Sequence, residues 1–162
     1  MRFLPLVVAL LATLVVAGPA PADETDTQTI AEGVKAKAQP LLKALSMIGT
    51  PYKFGGSNPS KGLDCSGFVK HVYKDSANIS LPRSAAEMSK KGEVVAKTDL
   101  KPGDLVFFNT RKKANSHVGI YAGEGTFVHA SSSHTKEVTV SRIGEKYWAN
   151  RFNGARRVLP AE

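Results

Sequence analysis

Apolar residues fall along this chain in three patterns, and each pattern predicts a different element. A near-continuous run from Phe3 to Val16 follows Arg2 and gives way to a Gly/Pro/Ala stretch ending in Ala20-Pro21-Ala22. Residues 23–29 (DETDTQT) are polar and acidic and read as a disordered lead-in, with flexible chain expected as far as residue 38. Helical spacing then sets in. Ile30 and Val34 lie four apart, and Leu41, Leu45 and Ile48 fall at i, i+4 and i+7 with Leu42 beside them. Gly33 weakens the first half, and Pro40 predicts a break or a fresh helix start. Gly49 and Pro51 form a stop signal. Residues 65–75 (CSGFVKHVYKD) predict a second helix capped by Asp64, and Ala85 to Lys90 a short third one capped by Ser84.

After Lys101 the pattern shortens to strand-like runs. Leu105 to Phe108, His117 to Tyr121 and Thr126 to His129 are the clearest, the last two joined by the hairpin turn Ala122-Gly123-Glu124-Gly125. Val138 to Val140 reads as a fourth strand and Arg156 to Leu159 as a closing one, while Tyr147 to Phe152 is ambiguous. Helices first and an antiparallel meander afterwards predict a single α+β domain, with N-terminal helices packed on the sheet.

The opening run changes this picture by shortening the folded part. A basic start, an apolar stretch too short for a bilayer span of roughly 18–20 residues, and an A-x-A ending together read as a cleaved export signal over residues 1–22. An uncleaved membrane anchor is the alternative. The mature remainder of about 140 residues suits one domain. Apolar content of 42% argues against disorder. The net charge of +8 is spread along the sequence. In an exported chain with no nucleic-acid motif, it suits an anionic wall polymer or membrane surface, or simply a soluble surface.

One cysteine, Cys65, cannot form an internal disulfide. A lone thiol in an oxidising compartment is a liability unless it is buried or has a task. It opens the second helix, where unpaired N–H groups favour a thiolate, and Phe68, Val69 and Val72 share its face. A small buried hydrophobe is the competing reading. Of the four histidines, His71 lies off the apolar face and His134 sits in a Ser-rich loop. His117 and His129 each stand at the edge of a strand, and a hairpin can bring them together. His117 then serves as base and His129 orients it, unless both are merely satisfied by the backbone. One cysteine and two strand histidines lack zinc-site spacing, so neither metal nor cofactor is expected.

These residues sit in a longer set of segments. They are Gly49-Thr50-Pro51-Tyr52 with Gly55-Gly56, Asp64-Cys65-Ser66-Gly67-Phe68, Leu81-Pro82-Arg83-Ser84, Pro102-Gly103-Asp104-Leu105, His117-Val118-Gly119-Ile120-Tyr121 and Phe127-Val128-His129-Ala130. In this order, from about Leu42 to Leu159, they resemble the NlpC/P60 family of cell-wall cysteine peptidases. With Tyr147-Trp148 and Ala155-Arg156-Arg157-Val158 added, the chain is most similar to its Spr-like endopeptidases, but without their lipidation cysteine. The resemblance implies a papain-like fold over a catalytic domain at 39–162, and hydrolysis of peptide bonds in peptidoglycan stems or crosslinks. Cys65 matches the nucleophile, His117 the base and His129 the third polar residue, with Tyr52 beside the nucleophile as an oxyanion donor. Asp64, Ser66, Arg83 and Ser84 match positions near the substrate groove, although a helix cap and a surface ion pair account equally for Asp64 and Arg83. The chain is expected to be an exported monomer of the periplasm or outer envelope, with no stable membrane anchor after cleavage. Its partners are peptidoglycan or muropeptides, not nucleic acid. An N-acetylmuramoyl-L-alanine amidase and a catalytically silent wall-binding protein are the rival readings.

Overall fold

In the computed structural model, which describes residues 24–133 and 135–160, the first element is a single helix, α1, over Glu24–Ser46. The expected export signal at 1–22 and His134 lie outside the described residues. Two expectations change here. Residues 24–38, expected as lead-in, are helical, and Pro40 lies inside the helix without ending it. Proline at that position removes the donor to the Ala36 carbonyl, a local cost. Burial of Pro40 together with Ala44 and Met47 against the domain offsets it. The packed face also differs from the predicted one. Leu41 is half-buried, but Leu42, Leu45 and Ile48 are 57%, 39% and 49% exposed. Both sides of α1 carry apolar residues, so periodicity alone does not say which side packs.

Helix α2, Cys65–Ala77, buries Phe68, Val69 and Val72, the face predicted for it, together with Tyr73. Asn78 ends it in the left-handed conformation that its short polar side chain tolerates. The hairpin β1 (Ser57–Asn58) and β2 (Gly62–Leu63) precedes it. Helix α3, Ala85–Met88, follows, and Ser84 and Glu87 close its start with a capping box.

The remaining strands are β3 (Glu93–Val95), β4 (Leu105–Phe108), β5 (His117–Gly123), β6 (Thr126–Ala130), β7 (Val138–Arg142) and β8 (Phe152–Arg157). They form one antiparallel six-stranded sheet ordered β3-β8-β4-β5-β6-β7. The ambiguous stretch divides into a short helix, α4 (Lys146–Ala149), and the start of β8.

Alternation along the strands separates two cores. Leu105, Phe107, Val118, Ile120, Val128 and Ala130 meet α1 and α2. On the other face Val106, Phe108, Phe127 and Ala155 meet Trp148 and Phe152. The α+β expectation holds, with α1 and α2 packed on one face of an antiparallel sheet and the short α4 on the other.

Candidate active site

Asp64 is the N-cap of α2, and its Oδ1 accepts the Gly67 N–H at 2.7 Å. That cap fixes Cys65 as the first helical residue. The backbone N–H of Val118 neighbours the Cys65 sulfur, so the head of α2 lies against the start of β5, one residue from His117. Cys65 is only partly exposed. Burial raises its pKa, the Val118 N–H opposing, and this outweighs the helix-end effect that predicted an easily formed thiolate.

His117 and His129 meet as the hairpin required. His117 Nε2 and His129 Nδ1 are 2.9 Å apart, and His129 Nε2 lies 3.0 Å from Ser141 Oγ on β7. Strand register explains this chain of contacts. His129 faces Thr139 across the ladder, and Ser141, two residues on, shares that face. For His117 Nδ1 to accept a thiol proton, Nε2 must carry a hydrogen and donate to His129 Nδ1. His129 Nε2–H then donates to Ser141. Trp148 covers both rings, with centroids 5.3 Å from His117 and 4.9 Å from His129. Burial, and secondarily the charge of Arg111, lowers the His117 pKa to about 4, so this imidazole is neutral at pH 7. Burial and then His117 push His129 well below the ordinary histidine value.

Arg83 reaches back across the head of α2. Its Nη2 donates to Asp64 Oδ2 at 2.7 Å, its Nη1 to Asp64 Oδ1 at 3.0 Å and to Ser66 Oγ at 2.8 Å. Asp64 is therefore both cap and ion-pair partner, and the network locks the helix start. Ser84 lines the same cleft, but its hydroxyl is engaged by Glu87 at 2.6 Å. Tyr52 also lines it, its pKa raised by burial first and then by Cys65. The cleft holds about 370 Å³ and brings Tyr52, Asp64, Cys65, Ser66, Arg83 and Ser84 together. A larger cleft of about 570 Å³ lies elsewhere, between α1, the end of α2 and Leu159.

Three residues at the site escape a reading of the sequence. Arg111 looks like one of many scattered charges, Ser141 like an ordinary strand serine, and Trp148 stands out only through the family likeness. No local pattern marks any of them, because each reaches the site from a separate element: Arg111 on a loop, Ser141 on β7 and Trp148 on α4.

The sequence profile of the NlpC/P60 family matches residues 49–157. This chain belongs to the NlpC/P60 family. Among similar proteins, gamma-DL-glutamyl hydrolase of Bacillus subtilis is 47% identical over 78% of the chain and 30% of its own length. Murein DD-endopeptidase MepH of Escherichia coli is 40% identical over 81% of the chain and 51% of its own length. Murein DD-endopeptidase MepS/Murein LD-carboxypeptidase of the same species is 38% identical, with 85% and 71% covered. The chain thus spans about a third to a half of the first two relatives. A crystal structure of an NlpC/P60 family protein from Bacillus cereus superimposes with a TM-score of 0.70 at 31% identity, covering 76% of this chain and 40% of that one. The matched stretch includes Tyr52, Cys65, His117 and His129.

Proposed function

We propose that this chain is a peptidoglycan endopeptidase, a cysteine peptidase acting on stem peptides or their crosslinks. One observation carries the reading: a cysteine at a capped helix start lies against strand β5, whose buried His117 is hydrogen-bonded to His129 of β6. In this mechanism His117 Nδ1 takes the thiol proton as Cys65 Sγ attacks the scissile carbonyl carbon. Tyr52 and the N–H groups at the head of α2 face the developing oxyanion. The tetrahedral species collapses by breaking the C–N bond, and the imidazolium gives its proton to the leaving amine. Water, deprotonated by the same histidine, then hydrolyses the thioester and regenerates the thiol. Because His117 and the thiol both rest neutral, the proton moves during attack rather than beforehand.

The names of the relatives, murein endopeptidases and a gamma-DL-glutamyl hydrolase, support a peptide-type bond over the muramoyl-alanine amide. A γ-glutamyl linkage is a second reading, favoured by the 47% identity to the glutamyl hydrolase. The same proposal has the chain exported to the envelope and working as a monomer. The test is digestion of purified peptidoglycan with product mass spectrometry. Wild type should release shortened or uncrosslinked stems, and Cys65→Ala none. Fragments released by the alanine variant at the wild-type rate would refute the assignment.

A further inference from the structure

The hydrogen-bonded chain that starts at His117 does not stop at His129. After the 2.9 Å contact between the two rings it runs on to Ser141 Oγ, 3.0 Å from His129 Nε2. Ser141 lies on β7, the edge strand of the sheet, directly across from Phe127 and on the face packed by Trp148. A hydroxyl on that aromatic face needs a polar partner, and His129 is its one side-chain partner among the described residues.

A neutral imidazole offers one N–H and one lone pair, so a chain of two rings ending on a hydroxyl has two orders. In the first, His129 Nε2–H donates to Ser141, His117 Nε2–H donates to His129 Nδ1, and His117 Nδ1 is left bare as a base. In the second, the serine hydroxyl donates to His129 Nε2 and His129 Nδ1–H donates to His117 Nε2. The His117 hydrogen then sits on Nδ1, where it blocks transfer from the thiol. The surroundings of Ser141 favour the first order. Its side chain borders a cleft of about 290 Å³ shared with Thr139, Glu145 and Trp148, so the hydroxyl hydrogen can turn into that space while the oxygen faces His129. His129 is 1% exposed, and without this oxygen its Nε2–H is shut off from any acceptor in solvent.

We infer that Ser141 is a positioning residue of the peptidase: its hydroxyl oxygen holds both histidines in the Nε2–H form that leaves His117 able to take the thiol proton. The inference rests on the peptidase reading and deepens it. Ser141 touches neither substrate nor thiol and acts through His129. When His117 gains its second proton during attack, its Nε2–H leans on His129 Nδ1 and the His129 Nε2–H leans on Ser141. The same oxygen then takes up part of the developing charge.

The test compares Ser141→Thr with Ser141→Val, two β-branched side chains of similar shape that both suit a strand and differ in the hydroxyl. Ser141→Ala is the third variant, and Val gives the answer if Ala folds poorly. With peptidoglycan fragments as substrate, Thr should keep kcat within about threefold of wild type. Val and Ala should lose about ten- to a hundredfold in kcat with KM nearly unchanged. Ring nitrogen shifts in ¹⁵N NMR supply a readout independent of turnover. Wild type and Thr should show His117 and His129 as Nε2–H, and in Val and Ala His129 should move towards Nδ1–H. Wild-type kcat in Val and Ala, equal losses in Thr and Val, or unchanged ring tautomers in the two variants without a hydroxyl each overturn the role of Ser141. Any of these, with Cys65→Ala still inactive, leaves the peptidase reading standing. If wild type releases nothing from peptidoglycan, or Cys65→Ala matches it, the positioning role falls together with that reading.

Discussion

At the scale of single residues, the main question is how a thiol with a raised pKa acts as a nucleophile. The partial positive charge at the head of α2 and the Val118 N–H favour the thiolate, while removal from water disfavours it more. His117 is held neutral by burial, so it accepts a proton only as the thiol is consumed. Alkylation of Cys65 by iodoacetamide should therefore climb with pH through and past the ordinary thiol value of 9.0. A preformed thiolate–imidazolium pair would instead give a rate plateau with a midpoint below pH 7, and that result would contradict a neutral resting pair.

At the scale of elements, the histidine pair depends on how closely β5 and β6 approach. Gly119 makes that approach possible. A Cβ there would sit 2.7 Å from Phe127 Cδ2, 2.9 Å from the Val128 carbonyl oxygen and 3.2 Å from His129 Cβ. Neither the carbonyl nor a buried ring can give way cheaply. Gly119→Ala should destabilise the fold by about 1–3 kcal/mol, the usual cost of overpacking. It should also lower kcat/KM by at least about tenfold by displacing His129 from His117. Urea unfolding and peptide hydrolysis measure the two effects. A fully active, fully stable variant would show that the strands have room to spare.

At the scale of the molecule, one buried ion pair ties the end of the chain to the middle. Arg157 on β8 donates to Asp104 Oδ1 at 2.8 Å and to Oδ2 at 2.7 Å. Asp104 also accepts the Lys101 N–H at 2.8 Å and is 2% exposed. Next to it, Tyr73 of α2 donates its hydroxyl to the Gly103 carbonyl, so helix, turn and closing strand converge at one point. Arg157→Ala leaves a buried carboxylate without its counter-charge and should cost about 3 kcal/mol in chemical denaturation. The Asp104→Asn/Arg157→Ala double variant should recover part of that loss. Equal stability of wild type and Arg157→Ala would show that the carboxylate is hydrated rather than sealed.

Short-range chemistry was legible in the sequence. Asp64 before Cys65 predicts a capped helix with the thiol at its head, because capping needs only residues three apart. The apolar runs at 105–108, 117–121 and 126–129 predict strands, and the turn between the last two brings His117 to His129. Longer-range matters were decided only by the tertiary structure. The packed side of α1, with Pro40 inside it, follows from what α2 presents, since the helix is apolar on more than one side. Arg83 closes on Asp64 across 19 positions, Ser141 reaches His129 through strand register, and Arg111 crosses to Phe54 on a loop. The thiol's raised pKa belongs with these, because a helix start is written locally, whereas desolvation depends on every element that closes around the site.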